Sequence, residues 1–266
     1  MDDRLETTTG AEHRVAVVTG ATGAIGSATA ARLSRDGWHV ALAVRDQVRG
    51  RELATRLGPR VTVVGMEATS SSSVEAAFAQ VNDELGPPTA LVHAVGSTLL
   101  RPAHAIKDDE FDEVIAINLV SAFYALRAFV RVVPRGTAGA ALFFSSAATA
   151  IGLVNHDAIS AAKGGVDGLV TAAAASYAGR GIRVNAIAPG LVRSGMTRRL
   201  VENPATLQAS EWMHPLGRIG EPEDVASLAG FLVSPEAGWI TGQVMAVDGG
   251  LSRIKLAPPV APGTRG

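Results

Sequence analysis

Residues 14 to 26 read Arg14-Val-Ala-Val-Val-Thr19-Gly20-Ala-Thr-Gly-Ala-Ile-Gly26, an apolar run followed directly by a glycine-rich turn. The stretch from Ser27 to Arg35 that comes next is typical of a helix. A buried strand that feeds such a turn and then a helix aims backbone N–H groups and the positive helix end at one point, where a pyrophosphate can bind. The stretch therefore predicts a dinucleotide-binding turn, although glycines alone would equally fit a plain tight turn.

Short β-rich apolar runs recur along the whole chain, with helical patterns between them. This alternation is typical of a parallel sheet with helices on both faces, and several runs lack the in-out pattern of a half-exposed strand. We therefore predict an α/β fold, a Rossmann-like doubly wound parallel sheet of about seven strands in a single domain. The predicted strands are Val15–Thr19, His39–Val44, Arg60–Val64, Ala90–Val95, Ala141–Ser145, Ile182–Ile187 and Gln243–Val247.

The chain divides into three predicted regions. An N-terminal extension covers residues 1–13, a dinucleotide-binding domain covers 14–251, and a proline-containing tail covers 252–266. A polar, partly helical segment around 195–221 interrupts the alternation and would lie near the carboxyl ends of the strands, where ligands bind in such sheets. We interpret this segment as a substrate lid; a surface helix is the alternative.

Composition narrows the classes of function. The 266 residues are 47% hydrophobic and carry a formal net charge of −1 without a long basic run, which argues against nucleic-acid and membrane-surface partners and favours a small-molecule substrate. The absence of cysteine excludes disulfides and thiolate metal sites, no metal site is predicted, and a cytoplasmic location is the default expectation. No apolar run in the sequence is expected to reach the roughly 18 residues that a membrane-spanning helix needs.

Several segments beyond the glycine turn resemble, in the same order, the short-chain dehydrogenase/reductase family, over roughly residues 14 to 251. The glycine turn matches the family pattern Thr-Gly-x-x-x-Gly-x-Gly, and Asn118 in Ile-Asn-Leu matches its helix asparagine. The pair Ser145-Ser146 lies at the end of the fifth predicted strand, where the family has its catalytic serine, and Lys163 lies in Ala-Ala-Lys-Gly-Gly like its lysine. The segments Arg183–Gly190 and Asp248–Gly250 complete the ordered set.

One position breaks the resemblance. The family's active tyrosine stands four residues before the lysine and thirteen after the serine, and both counts arrive at Ile159. In the family the lysine lowers the pKa of that tyrosine, and the phenol gives its proton to the forming alkoxide. A positioned acid contributes roughly 10² to 10⁴ in rate, so losing it should nearly silence ordinary ketone reduction unless another group supplies the proton.

His156 is the first candidate for that proton. It precedes Ile159 by three residues, and an imidazole titrates near neutral pH. The enoyl-reductase branch of the family places its tyrosine at the same seven-residue distance from the lysine. Alternatively, Asn155, His156 and Asp157 form only the turn that begins the next helix. Ser146 would orient the substrate oxygen or donate through a bound water, unless it only satisfies strand-end backbone.

The resemblance gives Lys163 and Asn118 roles that do not need the tyrosine. The ammonium of Lys163 would hydrogen-bond the nicotinamide ribose, with a solvated helix lysine as the alternative. Asn118 would bend its helix and hold a water linked to the lysine. An asparagine inside a helix is otherwise mildly unfavourable, which favours a specific hydrogen-bonding role.

The end of the second predicted strand indicates which dinucleotide binds. NAD-preferring members have an acidic residue there for the ribose hydroxyls, whereas this chain has Val44 followed by Arg45 and Asp46. Arg45 can bind a 2′-phosphate in bidentate fashion, so NADP(H) is favoured over NAD(H), although the neighbouring Asp46 weakens the argument. By resemblance, the predicted cofactor-binding residues are Gly20, Thr22, Ala24, Ile25, Gly26, Arg45, Glu67, Ala68, Gly96, Lys163, Pro189, Gly190, Val192 and Ser194.

The sequence thus predicts an atypical NADP(H)-dependent reductase or dehydrogenase that acts on a carbonyl or a secondary alcohol. Two alternatives remain: a non-redox protein of the same fold, such as a scaffold, partner subunit, lyase or isomerase, and an enoyl reductase. His93 stands where the family has asparagine, and we interpret it as structural. The resemblance also implies a homotetramer or homodimer formed through the helices around Glu110–Arg131 and Asp157–Ala178 and through the last strand.

Overall fold

A single parallel sheet organises the structure, a computed structural model that describes residues 14–255. The predicted extension 1–13 and residues 256–266 of the predicted tail lie outside the described residues. The strands are β1 (Val15–Thr19), β2 (His39–Val44), β3 (Val61–Gly65), β4 (Ala90–His93), β5 (Gly139–Phe144), β6 (Ile182–Pro189) and β7 (Val244–Val247).

The strand order is β3-β2-β1-β4-β5-β6-β7, and all neighbouring pairs are parallel. The order reverses beside β1, so the carboxyl ends of β1 and β4 flank the crevice in which doubly wound sheets bind ligands. The predicted fold class is confirmed, and every predicted strand lies within about two residues of an observed one.

Helices connect the strands and cover both faces of the sheet. They are α1 (Ala24–Arg35), α2 (Gln47–Leu57), α3 (Ser71–Leu85), α4 (Asp108–Ile115), α5 (Ser121–Val132), α6 (Asp157–Tyr177), α7 (Arg198–Val201), α8 (Pro204–Met213) and α9 (Pro222–Val233). A π-helical turn, Ala116–Val120, joins α4 to α5 without a break. The segment predicted as a lid therefore contains α7 and α8.

The core forms two layers because neighbouring residues of each strand face opposite sides. Val15 and Val17 of β1 pack in one cluster with α3, α5 and α6, whereas Ala16 and Val18 pack in the other with α1 and α9. Both faces of β1 are thus buried, which accounts for its continuous apolar sequence.

The long helix Asp108–Val132, which comprises α4, the π turn and α5, corrects one expectation from the sequence. By length and composition it is apolar enough to cross a membrane, although no membrane-length apolar run was expected. The first turn of this helix contains the acidic residues Asp108, Asp109 and Glu110, so its sequence does not form one continuous apolar run. Half of that window is buried inside the protein, where Ala125 and Phe129 pack in the core.

Candidate active site

The glycine turn after β1 is built so tightly that two of its glycines have no room for a side chain. Gly20 has φ +66°, and a Cβ there would lie 2.7 Å from the backbone carbon of Ala94. A Cβ on Gly26 would collide with the carbonyl oxygen of Gly20. The turn therefore brings α1 close against the carboxyl ends of β1 and β4.

The amino end of α1 is left open, unlike the amino ends of α2, α3 and α8. Asp46, Ser70 and Asn203 cap α2, α3 and α8 with side-chain oxygens, whereas Gly23 gives α1 no side-chain cap. The first turn of α1 also has no acidic residue. Free N–H groups at a helix amino end favour an anion, so this cradle fits the pyrophosphate of a dinucleotide. Thr22, Ala24 and Ile25 lie in or beside it.

Arg45, Asp46 and Glu67 lie at the neighbouring edge of the sheet, after β2 and β3. Asp46 accepts from the N–H groups of Val48 and Arg49 at 3.0 and 3.2 Å, so its carboxylate is committed to capping α2. Hydrogen bonds from Thr69 hold the pKa of Glu67 below its usual value, with a smaller contribution from the charge of Arg45. The structure thus brings Arg45 near Glu67, while Ala68 beside it is buried.

His93 forms a buried hydrogen-bonded chain between two strands and the π turn. Its Nδ1 lies 2.8 Å from Thr19 Oγ1 and its Nε2 3.0 Å from Ser121 Oγ. Ser121 donates to the carbonyl of Ile117, so its oxygen must accept from His93 Nε2–H, and Nδ1 accepts from Thr19. Burial lowers the pKa of His93 to about 3, with help from the charge of Lys163. These contacts support the structural interpretation of His93.

Asn118 lies in the π turn and joins it to the loop after β4. Its Nδ2 donates to the carbonyl of Val114 at 2.9 Å and to Ser97 Oγ at 3.0 Å, while its Oδ1 accepts from Ser97 N–H at 3.2 Å. A Cβ on Gly96 would lie 3.2 Å from Asn118 Oδ1 and 3.7 Å from Lys163 Nζ. Gly96 thus lets the loop approach Asn118 closely, and π turns of this kind often occur at functional sites.

Lys163 is buried on α6 and donates from Nζ to the carbonyl of Phe144 at 2.8 Å. Burial lowers its pKa to about 8, and the charge of Asp167 opposes that shift. The alternative of a solvated helix lysine is wrong, because only 8% of the residue is exposed. An ammonium has three donors, so two remain for a ligand.

Ser146 and His156 approach the same space from the loop after β5 and the start of α6. Ser146 Oγ accepts from Ala148 N–H at 3.2 Å, which leaves its hydroxyl proton available to an acceptor. His156 directly precedes α6, but its side chain does not cap the helix. Its Nδ1 lies 2.8 Å from the carbonyl oxygen of Val154. Since a carbonyl only accepts, Nδ1 carries the proton and Nε2 is the basic nitrogen. The predicted turn is present, with Asn155 at φ +64°.

Ile159 faces an apolar environment. It is 6% exposed and packs with Val114, Ala158 and Ala162, with Leu99, Ile106 and Ile115 around them. The two tyrosines of the chain, Tyr124 on α5 and Tyr177 on α6, are not among the residues that line the cleft described below. No phenol of the described residues therefore lines this cleft.

The loop after β6 closes the other side of the site. Pro189 and Gly190 reach the cleft. Val192 pairs with Gly220, and its carbonyl accepts from Thr197 Oγ1 at 2.7 Å, which leaves its N–H available to a ligand. Ser194 bonds Thr197 through Oγ at 3.0 Å and does not line the cleft, whereas Thr197 does.

A cleft of about 590 Å³ brings the predicted catalytic residues together. Asn118, Ser146, His156 and Lys163 all line it, and Ile159 forms part of its wall. The lid segment contributes Met196, Leu200, Ser210, Met213 and His214. Of the predicted cofactor residues, Ile25, Gly96, Lys163, Pro189 and Gly190 also line this cleft. The others lie outside it, along the glycine turn, at the ends of β2 and β3 and in the loop after β6.

Ser97, Thr197 and His214 are among the polar lining residues that were not predicted from the sequence. Ser97 and Thr197 resemble ordinary loop hydroxyls, so the sequence gives no signal for them. For His214 the sequence signal was its place in the segment predicted as a lid, and its burial to 2% exposure could be seen only in the fold.

Comparison with known proteins identifies the relatives of this chain. Residues 20–252 match the family described as Enoyl-(Acyl carrier protein) reductase. The chain is 37% identical over 224 residues to a Xanthobacter autotrophicus protein named inactive 2-(S)-hydroxypropyl-CoM dehydrogenase 2, covering 83% of this chain and 97% of that one. It is 32% identical over 243 residues to the 3-oxoacyl-(acyl-carrier-protein) reductase FabG of Vibrio harveyi, covering 91% and 99%.

The solved structures agree with these relatives. A crystal structure of an actinorhodin polyketide ketoreductase variant with NADPH superposes with a TM-score of 0.85 at 28% identity, covering 91% of this chain and 98% of that one. The chain belongs to the short-chain dehydrogenase/reductase family. It is accordingly an oxidoreductase of the short-chain type, and the structure of the polyketide ketoreductase variant contains NADPH.

Proposed function

We propose that the protein is an NADP(H)-dependent oxidoreductase that reduces the carbonyl of an apolar, uncharged substrate or oxidises the matching secondary alcohol. The observation that carries the proposal is the single cleft in which Asn118, Ser146 and Lys163 meet beside the uncapped amino end of α1. A nicotinamide bound there would supply the hydride, and the protein would supply orientation and charge. A protein that only binds has no evident use for all three polar groups.

The preference for NADP(H) rests on Arg45. Its side chain is exposed and makes no hydrogen bond or ion pair with the described residues, so the guanidinium is free to bind a 2′-phosphate. The neighbouring Asp46 is less of an obstacle than the sequence alone suggests, because its carboxylate already caps α2. The nearby charge of Glu67 opposes the phosphate and limits the preference.

Ser146, His156 or an ordered water would supply the proton that a tyrosine supplies in the family. The hydroxyl of Ser146 can donate to a substrate oxygen while it accepts from Ala148. His156 can deliver a proton from Nε2 only as imidazolium, because its Nδ1–H is held by Val154. The variant His156→Phe separates the two routes: unchanged turnover at saturating cofactor would exclude the imidazole.

The walls of the cleft define the substrate class. Lys163 is the only Lys, Arg, Asp or Glu among the lining residues within the described part of the chain. The other lining residues include the leucines Leu100, Leu153, Leu191, Leu200 and Leu251. Around the mouth, apolar side chains stay exposed, including Val154 at 85%, Met196 at 52% and Met213 at 42%. A cleft of this kind favours an apolar ketone over an anionic thioester or sugar acid.

The direct test is a titration with NADPH and NADH, followed by turnover of matched apolar ketones, enones and charged ketones. The proposal predicts tighter binding of NADPH and reduction of apolar ketones. Binding of neither dinucleotide would contradict it. A charged ketone that reacts faster than its apolar counterpart would reject the proposed substrate class alone.

A second candidate function is carried by Ile159. An apolar group at that position suits a protein that has lost redox turnover, and the relative named inactive is compatible with that reading. Enoyl reduction is a further possibility, because its last proton goes to carbon and depends less on a phenol. NADPH binding without turnover of any ketone or enone favours a protein that has lost redox turnover. Turnover of enones alone favours an enoyl reductase.

We also propose that the chain self-associates as a homotetramer or homodimer. The helix face with Phe111 at 40% and Phe123 at 47% exposure and the edge strand β7 with Val244 at 38% exposure support this proposal, and Trp239 nearby is fully exposed. Light scattering coupled to gel filtration measures the mass. The variant Trp239→Ser should lower that mass if the exposed indole ring lies in the contact.

A further inference from the structure

His214 occupies a position that joins the predicted lid to the floor of the cleft. It ends α8, is 2% exposed and lines the cleft together with Ser210 and Met213 of the same helix. A histidine so deeply buried needs partners for both ring nitrogens.

The two hydrogen bonds of His214 fix its tautomer. Nδ1 lies 2.6 Å from the carbonyl of Ser210, which only accepts, so Nδ1 carries the proton. Nε2 lies 3.2 Å from the N–H of Leu191, which only donates, so Nε2 offers its lone pair. Both bonds can exist together only in the neutral Nδ1–H form.

These two bonds differ in what they connect. The bond to Ser210 stays within α8, whereas the bond to Leu191 crosses from the lid to the loop after β6. Leu191 follows Gly190, where a Cβ would lie 2.7 Å from His214 Nε2 and 3.0 Å from the Cα of Asp248. Gly190 therefore lets the imidazole lie directly against the loop.

We propose that His214 is a positioning residue that latches α8 to the Gly190–Leu191 loop through Nε2. The inference rests on the proposed function, because that loop borders the proposed nicotinamide site. The charged groups that line the small cavity beside the ring are Asp248, Arg218 and Asp224, and the latter two are paired at 2.6 Å. Asp248 accepts from the N–H groups of Gly250 and Ser252, so the latch does not depend on its carboxylate.

Two variants of similar size separate the two bonds. His214→Gln places a carbonyl oxygen near the Nε2 position and keeps an acceptor for Leu191. His214→Asn places an amide N–H near the Nδ1 position and keeps only the bond within α8. If the bond to Leu191 matters, the His214→Gln variant keeps the function of the protein and the His214→Asn variant loses it. If His214 only ends α8, the Asn variant keeps the function and the Gln variant loses it.

The first readout is hydrogen exchange at the Leu191 amide in the protein without cofactor. We expect exchange at least threefold to roughly tenfold faster in His214→Asn than in His214→Gln, the range that one lost hydrogen bond gives. Equal exchange in both variants, or faster exchange in the Gln variant, would overturn the latch. Circular dichroism verifies that both variants fold.

The second readout is kinetic and separates a failure of the latch from a failure of the proposed function. His214→Asn should raise KM for an apolar ketone severalfold and leave kcat nearly unchanged, while His214→Gln stays close to wild type. If the wild type neither binds NADPH nor reduces ketones, the proposed function fails, and hydrogen exchange alone still decides whether the latch exists.

Discussion

Restoring the missing phenol is the sharpest perturbation that this active site allows. Ile159→Tyr places a hydroxyl one helical turn before Lys163, on the same face of α6. Lys163 is buried beside the cleft and keeps two N–H donors beyond its bond to Phe144, so its charge can lower the pKa of the new phenol. We expect the variant to reduce apolar ketones faster than the wild type.

The size of the gain follows from what a positioned acid contributes. A general acid gives roughly 10² to 10⁴ in rate, which is about 3 to 5 kcal/mol of the barrier. The ring enters a wall that is 6% exposed at Ile159, and overpacking of such a wall costs about 1 to 3 kcal/mol of folding stability. The adjoining cleft of about 590 Å³ can take the hydroxyl end, so the variant should stay folded.

The assay compares kcat/KM for one apolar ketone in the wild type, Ile159→Tyr and Ile159→Phe. The Phe variant carries the same ring without the hydroxyl, so it reports the effect of packing alone. A gain of 10-fold or more in Tyr over Phe supports the reasoning. Equal rates in the two variants, with both folded and binding NADPH, would refute the view that the missing phenol limits this site.

Three further predictions test other parts of the account. Arg45→Asp should weaken NADPH binding roughly 10- to 100-fold and spare NADH, measured by fluorescence, while Arg56→Asp at the far end of α2 should change neither affinity. The pKa of His93 lies near 3 in the folded protein and near 6.5 in the unfolded chain, so lowering the pH between these values lowers the free energy of unfolding. In urea unfolding, this free energy should fall by about 2 kcal/mol more in the wild type than in His93→Asn when the pH is lowered from about 7.5 to about 5. Gly20→Ala should abolish dinucleotide binding or folding, because its Cβ would lie 2.7 Å from the backbone of Ala94. An Ala variant that binds NADPH normally would contradict the geometry of the turn.

Local sequence patterns were sufficient to predict the sheet. Most of the runs that became β1 to β7 are apolar over most of their length and are bounded by turn residues, so their places could be predicted without the fold. The ends of strands were less predictable, because β6 runs on to Pro189 by pairing with β7, a partner distant in sequence. Tertiary contacts decide such boundaries.

Site residues could be predicted where a short sequence motif indicates their role. They could not be predicted where their place in the site depends on a contact between segments that are distant in sequence. Asn118, Ser146, His156 and Lys163 line one cleft, as their positions in the motifs suggested, and their catalytic roles stay predictions. The bond between His214 and Leu191 spans 23 residues of sequence and had no local pattern to indicate it.

The measurement that tests the central claim most directly is deuteride transfer from NADPH labelled at the reactive position of the nicotinamide ring. The labelled cofactor is mixed with the protein and a panel of apolar ketones, and the products are analysed by mass spectrometry. The account predicts an alcohol that carries one deuterium on the former carbonyl carbon. NADPH that binds tightly yet transfers no label to any ketone of the panel would contradict it and favour the non-redox alternative.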